Sequence, residues 1–186
     1  MALDLPQLPR ATTVSPRLLR FGGVLRPVLG GPDQPLSRLG SRFAVDVEMP
    51  PMAAACAAAL IATRLQADAL GEPLRLIVPQ NGNGAAAGAP VATAGAVNSA
   101  SVTKAGGGAI ARGMFFSFTV GGRTYLHMVT SVAGNVLGVA PLLRASPVGQ
   151  ALNFAAPSIE GFVDGVAWSM SRMRFIGQSF TVSEAR

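Results

Sequence analysis

The 186-residue chain is 49% hydrophobic and only 13% charged, with a mean hydropathy of +0.41 and a formal net charge of +6. A free-standing soluble domain carries about 25% charged residues, so two classes remain: membrane proteins, and subunits that hide much of their surface in an assembly. A spanning helix needs ~18 or more uninterrupted apolar residues, and the longest apolar stretch here, Met49 to Ala62, contains Pro50 and Pro51 and is soon followed by Arg64 and Asp68.

Residues 1–20 contain three prolines and Asp4 and no apolar core of a secretory signal. The expectation is a chain made in the cytoplasm and used there or assembled there into something that leaves. Residues 1–42 read as an extended arm. Six of the 14 prolines fall in it, a density that prevents helix and central strand. It also carries most of the net charge, with Arg10, Arg17, Arg20, Arg26, Arg38 and Arg42 against Asp4 and Asp33, a net of +4. Short apolar pieces lie between the arginines, among them Leu18-Leu19, Phe21 and Val24-Leu25. Arginine suits protein interfaces through its planar, weakly hydrated fork. Phosphate binding is the competing use, but the arm lacks lysine and offers one aromatic for base stacking. Arg10, Arg17, Leu18, Leu19, Arg20, Phe21 and Arg26 are therefore read as an intersubunit docking segment.

The body is placed at 43–186. Phe43, Val45 and Val47 alternate with Ala44, Asp46 and Glu48, the period of a half-buried strand. The paired carboxylates read as a solvated or intersubunit strand face. Pro50 and Pro51 are expected to open a helix over about 51–70, stopped by Gly71. Cys56, flanked by alanines, reads as a small buried filler. After a short strand at Leu74–Val78, residues 80–90 are small and uncharged and read as a flexible loop.

Everything beyond reads as β structure. Strands are expected at Val91–Val97, Ala100–Lys104, Asn135–Leu143 and Ala151–Phe154. A hairpin joins Met114–Val120 to Arg123–Val132 through Gly121-Gly122. Val166, Trp168 and Met170 mark a two-sided strand, and Phe180 and Val182 a last one. Short strands at this spacing with one helix predict a mainly β fold, a β-sandwich or barrel-like body with one packed helix and an extended N-terminal arm.

Catalytic patterns are mostly missing. Gly177-Gln178-Ser179-Phe180-Thr181 lacks the last glycine of a nucleophile elbow, and Gly82-Asn83-Gly84 lacks the third glycine of a dinucleotide turn. His127 has no nucleophile or orienting partner nearby in sequence and reads as structural or interfacial. Trp168 reads as core, whereas an exposed tryptophan would mark a sugar- or partner-binding face. With one cysteine and one histidine, no metal, cofactor or enzymatic activity is expected.

Several segments taken in order resemble small tail proteins of long-tailed bacteriophages and prophages. They are Gly113-Met114-Phe115-Phe116-Ser117-Phe118, Gly122-Arg123-Thr124-Tyr125-Leu126-His127-Met128-Val129, Val139-Ala140-Pro141-Leu142-Leu143-Arg144, Trp168, and Ser179-Phe180-Thr181-Val182-Ser183-Glu184-Ala185. Phe43 to Pro51, followed by a helix and Leu74-Arg75-Leu76, is similar too. The likeness spans about residues 42–185 and excludes the arm; the closing pair is Ser183-Glu184 where the family carries two acids. The resemblance implies a distal tail, or tail-tip, protein of the virion, made in the host bacterial cytoplasm. It implies a β-sandwich with a helix, assembled as a hexameric ring that joins the tail tube protein to the hub and tip proteins. The one nucleic acid then expected is DNA passing through the ring lumen. Tail tube and tube-terminator subunits share a related fold and are alternatives. So is a glycan-binding module using Trp168 and the glycine-rich loops.

Overall fold

The computed structural model describes residues 2–6, 8–9, 12–28, 30–37, 40–170 and 175–185. In chain order its elements are β1 (Leu3–Asp4), β2 (Thr13–Leu19), β3 (Gly22–Leu25), β4 (Gln34–Ser37), β5 (Arg42–Ala53), α1 (Ala54–Leu70), β6 (Leu74–Ile77), α2 (Gly84–Ala87), β7 (Val91–Ala94), β8 (Ser101–Ala105), β9 (Phe115–Val120), β10 (Arg123–Ala133), β11 (Val136–Ala140), β12 (Ser158–Met170) and β13 (Phe175–Glu184). The fold is mainly β, in two principal sheets with few helices. One sheet has six strands in the order β1-β6-β12-β13-β5-β2; the other has five, β7-β8-β11-β10-β9. β3 and β4 form a separate two-stranded hairpin.

Alternation sets the faces of the six-stranded sheet. Phe43, Val45, Val47 and Met49 of β5 point to the core with Phe180 and Val182 of β13, while Glu48 faces out, exposed. α1 packs on the inner face through Ala57, Leu60, Arg64 and Ala67, spaced as one stripe of a helix. Phe115 and Leu126 of the five-stranded sheet complete this core. A second core lies within the five-stranded sheet, around Phe116, Phe118, Val129, Leu137, Leu152 and Phe154.

The helix ends as its sequence predicts: Gly71 adopts φ 61 and donates to Ala67 and Asp68 carbonyls. Its start differs. Pro50 and Pro51 lie in β5, and the helix begins at Ala54. β5 stays paired with β13 up to Ala53, because the two prolines stand opposite the single residue Gly177, between the pairs Met49–Gln178 and Met52–Ile176. A bulge of this kind accommodates residues that cannot donate to the ladder.

The glycine-alanine segment also departs from the expected flexible loop. It contains the one-turn helix α2, capped by Asn83 Oδ1 accepting from the Ala86 amide at 3.2 Å. Gln80 anchors it: its Nε2 donates to the Phe115 and Phe154 carbonyls at 2.6 and 2.8 Å, and its Oε1 accepts from the Phe115 amide at 2.7 Å. Gly84 is buried so closely that a Cβ there would collide with the Phe154 carbonyl oxygen. The segment is small because it is packed. Gly84→Ala should therefore cost about 1–3 kcal/mol by overpacking, read as a lower urea midpoint; an unchanged midpoint would show that this loop can move aside.

The β9–β10 hairpin matches its expected turn, with Gly121 and Gly122 both at positive φ. Ala151–Phe154 forms only isolated bridges, Val91–Ala151 and Ser117–Asn153, although Leu152 and Phe154 are fully buried. Packing at the lip of the five-stranded sheet holds that segment without a ladder.

The arm divides in two. β1 pairs in parallel with β6, and β2 antiparallel with β5, so residues 3–19 supply opposite edges of the six-stranded sheet. Leu3, Leu5, Leu8 and Val14 pack against the core. Pro16 lies in β2, at an edge, where only one side of a strand is paired. Residues 22–37 alone stand apart as a hairpin.

Candidate assembly interface

The docking residues read from the arm do not form one site. Arg17 Nε lies 2.8 Å from Asp46 Oδ2 of the same chain. Asp46 also accepts from Thr181 Oγ1 at 2.6 Å. Leu19 is half-buried on β2, and Leu18 lies at the margin of exposure. Phe21 carries the Arg42 guanidinium over its ring, 5.1 Å from the centroid. Arg20 is exposed, and no ion pair to it occurs among the described residues. Arg26 stands at the end of the hairpin, 3.6 Å from Asp33. Arg10 lies outside the described residues.

The hairpin they flank is unusually bare. Val24, Leu25 and Leu36 are exposed, and Val28 at its turn is 100% exposed. A cavity of about 510 Å³ separates its base from Val139, Ala140, Pro141 and Leu142 of the body. An isolated two-stranded hairpin is marginally stable in water. This one has apolar side chains with nothing over them.

Strand β12 presents a second unfinished surface, one that sequence reasoning missed. On one side it pairs with β13 along most of its length. On the other, β6 reaches only Ser158 to Gly161. Among the described residues no strand pairs with that side from Phe162 to Met170. Phe162 is 50% exposed and Trp168 43%. Trp168 is thus not the core residue expected from its strand, because it lies beyond the part of β12 that the second sheet covers. Cys56 is corrected likewise: it is exposed, one position off the inward stripe that begins at Ala57.

The outward face of the six-stranded sheet carries a polar patch over β2, β5 and β13. Asp46, Glu48, Thr13, Ser15, Ser179 and Thr181 line a shallow depression of about 240 Å³. Beside it Arg75 bridges Asp4, at 3.6 Å, and Glu160, at 3.3 Å, across three adjacent strands. A larger cavity, about 940 Å³, is lined by Asp4, Leu5, Leu8 and Val14; its charged lining groups among the described residues, Asp4 and Arg75, are that same pair.

Two buried polar centres hold these surfaces in place. Arg64 is 0% exposed. Its Nη1 donates to Gln178 Oε1 at 2.8 Å and its Nη2 to the Ser179 carbonyl at 3.3 Å, while the guanidinium covers the Phe180 ring. Gln178 Nε2 returns a bond to the Ala57 carbonyl at 3.3 Å. Burial lowers the Arg64 pKa to about 10, so it stays charged at neutral pH. An arginine at helical spacing from Ala57, Leu60 and Ala67 was the available signal.

The second centre joins the two sheets. Arg144 Nη2 lies 2.9 Å from Glu184 Oε1, its Nη1 donates to the Ala185 carbonyl at 2.8 Å, and its guanidinium sits over Tyr125. Glu184 Oε1 accepts from the Leu126 amide at 3.1 Å. Burial raises the Glu184 pKa, against the lowering effects of Arg144 and of the Leu126 and Phe43 amides. Next to Leu126, His127 is fully buried, edge-on to Phe116 and Phe118. Its Nδ1–H donates to the Leu126 carbonyl at 2.6 Å, leaving Nε2 buried with no partner among the described residues. Burial first, and the Arg144 charge second, lower its pKa to about 3. It is a neutral structural histidine.

Tyr125, His127, Arg144, Glu184 and Ala185, far apart in the chain, thus meet in one place. Glu184, the acid of the closing Ser183-Glu184 pair, is buried. No protein-family profile and no curated protein matches the chain.

Proposed function

We propose that this chain is a structural subunit of a phage tail, assembling head to tail into a ring at the distal end that joins the tail tube to the tip complex. The observation that carries the proposal is one sheet with two open sides. Among the described residues β2 is open along one side, and β12 beyond Gly161 along the other. Contacts between two different faces of identical subunits close into a ring when the rotation closes. Low charge fits such a subunit, since interface cores are depleted in charge. The bare hairpin fits it as well.

The polar patch of the outward face suits the lumen. The arginines on that face, Arg17 and Arg75, are each engaged by carboxylates, Asp46 for the first and Asp4 and Glu160 for the second, which weakens them as phosphate partners that would drive DNA adhesion. No step of chemistry is required of any residue.

The purified protein should form six-fold rings in electron micrographs, and mass photometry should give one species at six times the 19.0 kDa subunit mass. A monomer that persists at high concentration would overturn the ring. Coexpressed tail tube protein should co-purify with it; a ring that fails to bind tube or tip proteins would overturn its place in the tail.

A further inference from the structure

We infer that the β3–β4 hairpin of one copy adds as a strand to the open side of β12, Phe162–Met170, in the next copy. The inference rests on the ring reading and names the contact that builds it.

Three observations converge. First, among the described residues β12 leaves nine consecutive residues, 162–170, unpaired along one edge, and that stretch contains no proline and no lysine. Proteins usually protect edges of that length, because their free N–H and C=O groups recruit other strands. Here the available devices are the Asp164 charge and the register shift after it. Second, the hairpin offers a matching strand. β3, Gly22–Leu25, pairs among the described residues with β4 on one side only and has a donor at every residue. β2, the other open strand, lacks one donor at Pro16. Val24 and Leu25 bring apolar cover to an edge bearing Phe162 and Trp168.

Third, the charges are complementary. Arg20 precedes the hairpin without an acidic partner among the described residues. Asp164 on β12 is exposed and accepts only from the adjacent Gly165 amide, at 2.8 Å, among the described residues. In its own chain the hairpin lies elsewhere. The hairpin continues from β2, and β5 and β13 stand between β2 and β12. At ~4.8 Å per strand the gap is about 14 Å across the sheet, and the hairpin projects beside Val139–Leu142 instead. In a head-to-tail ring the β2 side of one subunit faces the β12 side of the next. Strand addition of this kind draws affinity from the main chain and specificity from alternate side chains.

The test uses full-length protein with Cys56→Ser, prepared as equal parts ¹⁴N and ¹⁵N copies and carrying benzoylphenylalanine at position 24. After irradiation, mass spectrometry should find position 24 of one isotope joined to residues 162–170 of the other. Rings with cross-links confined to one copy, or directed to residues 139–142, would overturn the inference and leave the ring reading intact; absence of rings would overturn both. Independently, Val24→Asp with Leu25→Asp should raise the concentration needed for assembly at least tenfold while leaving the monomer's melting temperature unchanged, since both side chains are exposed in the subunit. Assembly at the wild-type concentration would also overturn it.

Discussion

Arg64→Ala should remove about 2–5 kcal/mol of folding stability through the cavity and the unsatisfied acceptors it leaves, a large part of the margin of an ordinary subunit. The guanidinium is fully buried between α1 and the six-stranded sheet, and it satisfies the Gln178 amide oxygen and the Ser179 carbonyl. Truncation removes those donors, opens a cavity against Phe180, and releases the helix from its polar anchor. Arg64→Met keeps most of the volume and isolates the hydrogen-bonding part. It should cost about 1–3 kcal/mol, the penalty of leaving buried acceptors without a donor. Adding Gln178→Leu should recover part of that loss, because an apolar pair replaces a half-satisfied polar one. Urea unfolding of the four proteins reads this directly: midpoints should shift at constant slope. If Arg64→Ala lies within about 0.5 kcal/mol of wild type, the range of neutral surface changes, α1 is not anchored through this residue.

Most of the body was legible because its periodicities are strong. β5 and β13 alternate over several residues, and two glycines at positive φ fix the turn between β9 and β10. The end of α1 was legible for the same local reason, Gly71. What sequence could not supply is tertiary. Pro50 and Pro51 satisfy the rules for a helix start, yet a bulge opposite Gly177 keeps them in a strand. The segment at 80–90 has a linker's composition, yet its Gly84 is required by the Phe154 carbonyl and its Gln80 is a clasp. Cys56 differs in burial from Ala57 only through helix phase, which an alanine-rich sequence hides. The candidate interface was half legible. Apolar pieces between prolines marked the arm, but not its division into edge strands and a free hairpin. The open side of β12 depends on where β6 ends, and no local pattern encodes that.

Arg144→Ala should be at least as damaging as the loss of Arg64 at neutral pH, about 3–5 kcal/mol, but its penalty should shrink on acidification. Without Arg144 the Glu184 carboxylate is buried with the Leu126 and Phe43 amides as its remaining favourable partners. A carboxyl whose folded pKa lies above its ordinary 4.5 is stabilising below that value, and the contribution is lost as pH rises through the folded pKa. Removing the cation raises the folded pKa further, so the variant recovers as Glu184 takes up its proton. His127 acts in the opposite sense. Its folded pKa of about 3 lies below its ordinary 6.5. Stability is therefore full above 6.5 and is lost as pH falls toward 3, by about 1.4 kcal/mol per pH unit within that window. The Arg144 charge contributes the smaller part of this depression, so its removal alters the histidine's contribution only as pH approaches the folded value near 3. Above that range the carboxyl effect alone brings Arg144→Ala closer to wild type on acidification. Urea unfolding at pH 7.5, 6 and 5 should show the gap narrowing, and His127→Leu should flatten the acid slope while leaving stability above pH 6.5 within the range of a core substitution. A gap that stays constant across those pH values would mean that Arg144 stabilises the sheet junction through its Tyr125 packing and its Ala185 bond, not through its charge.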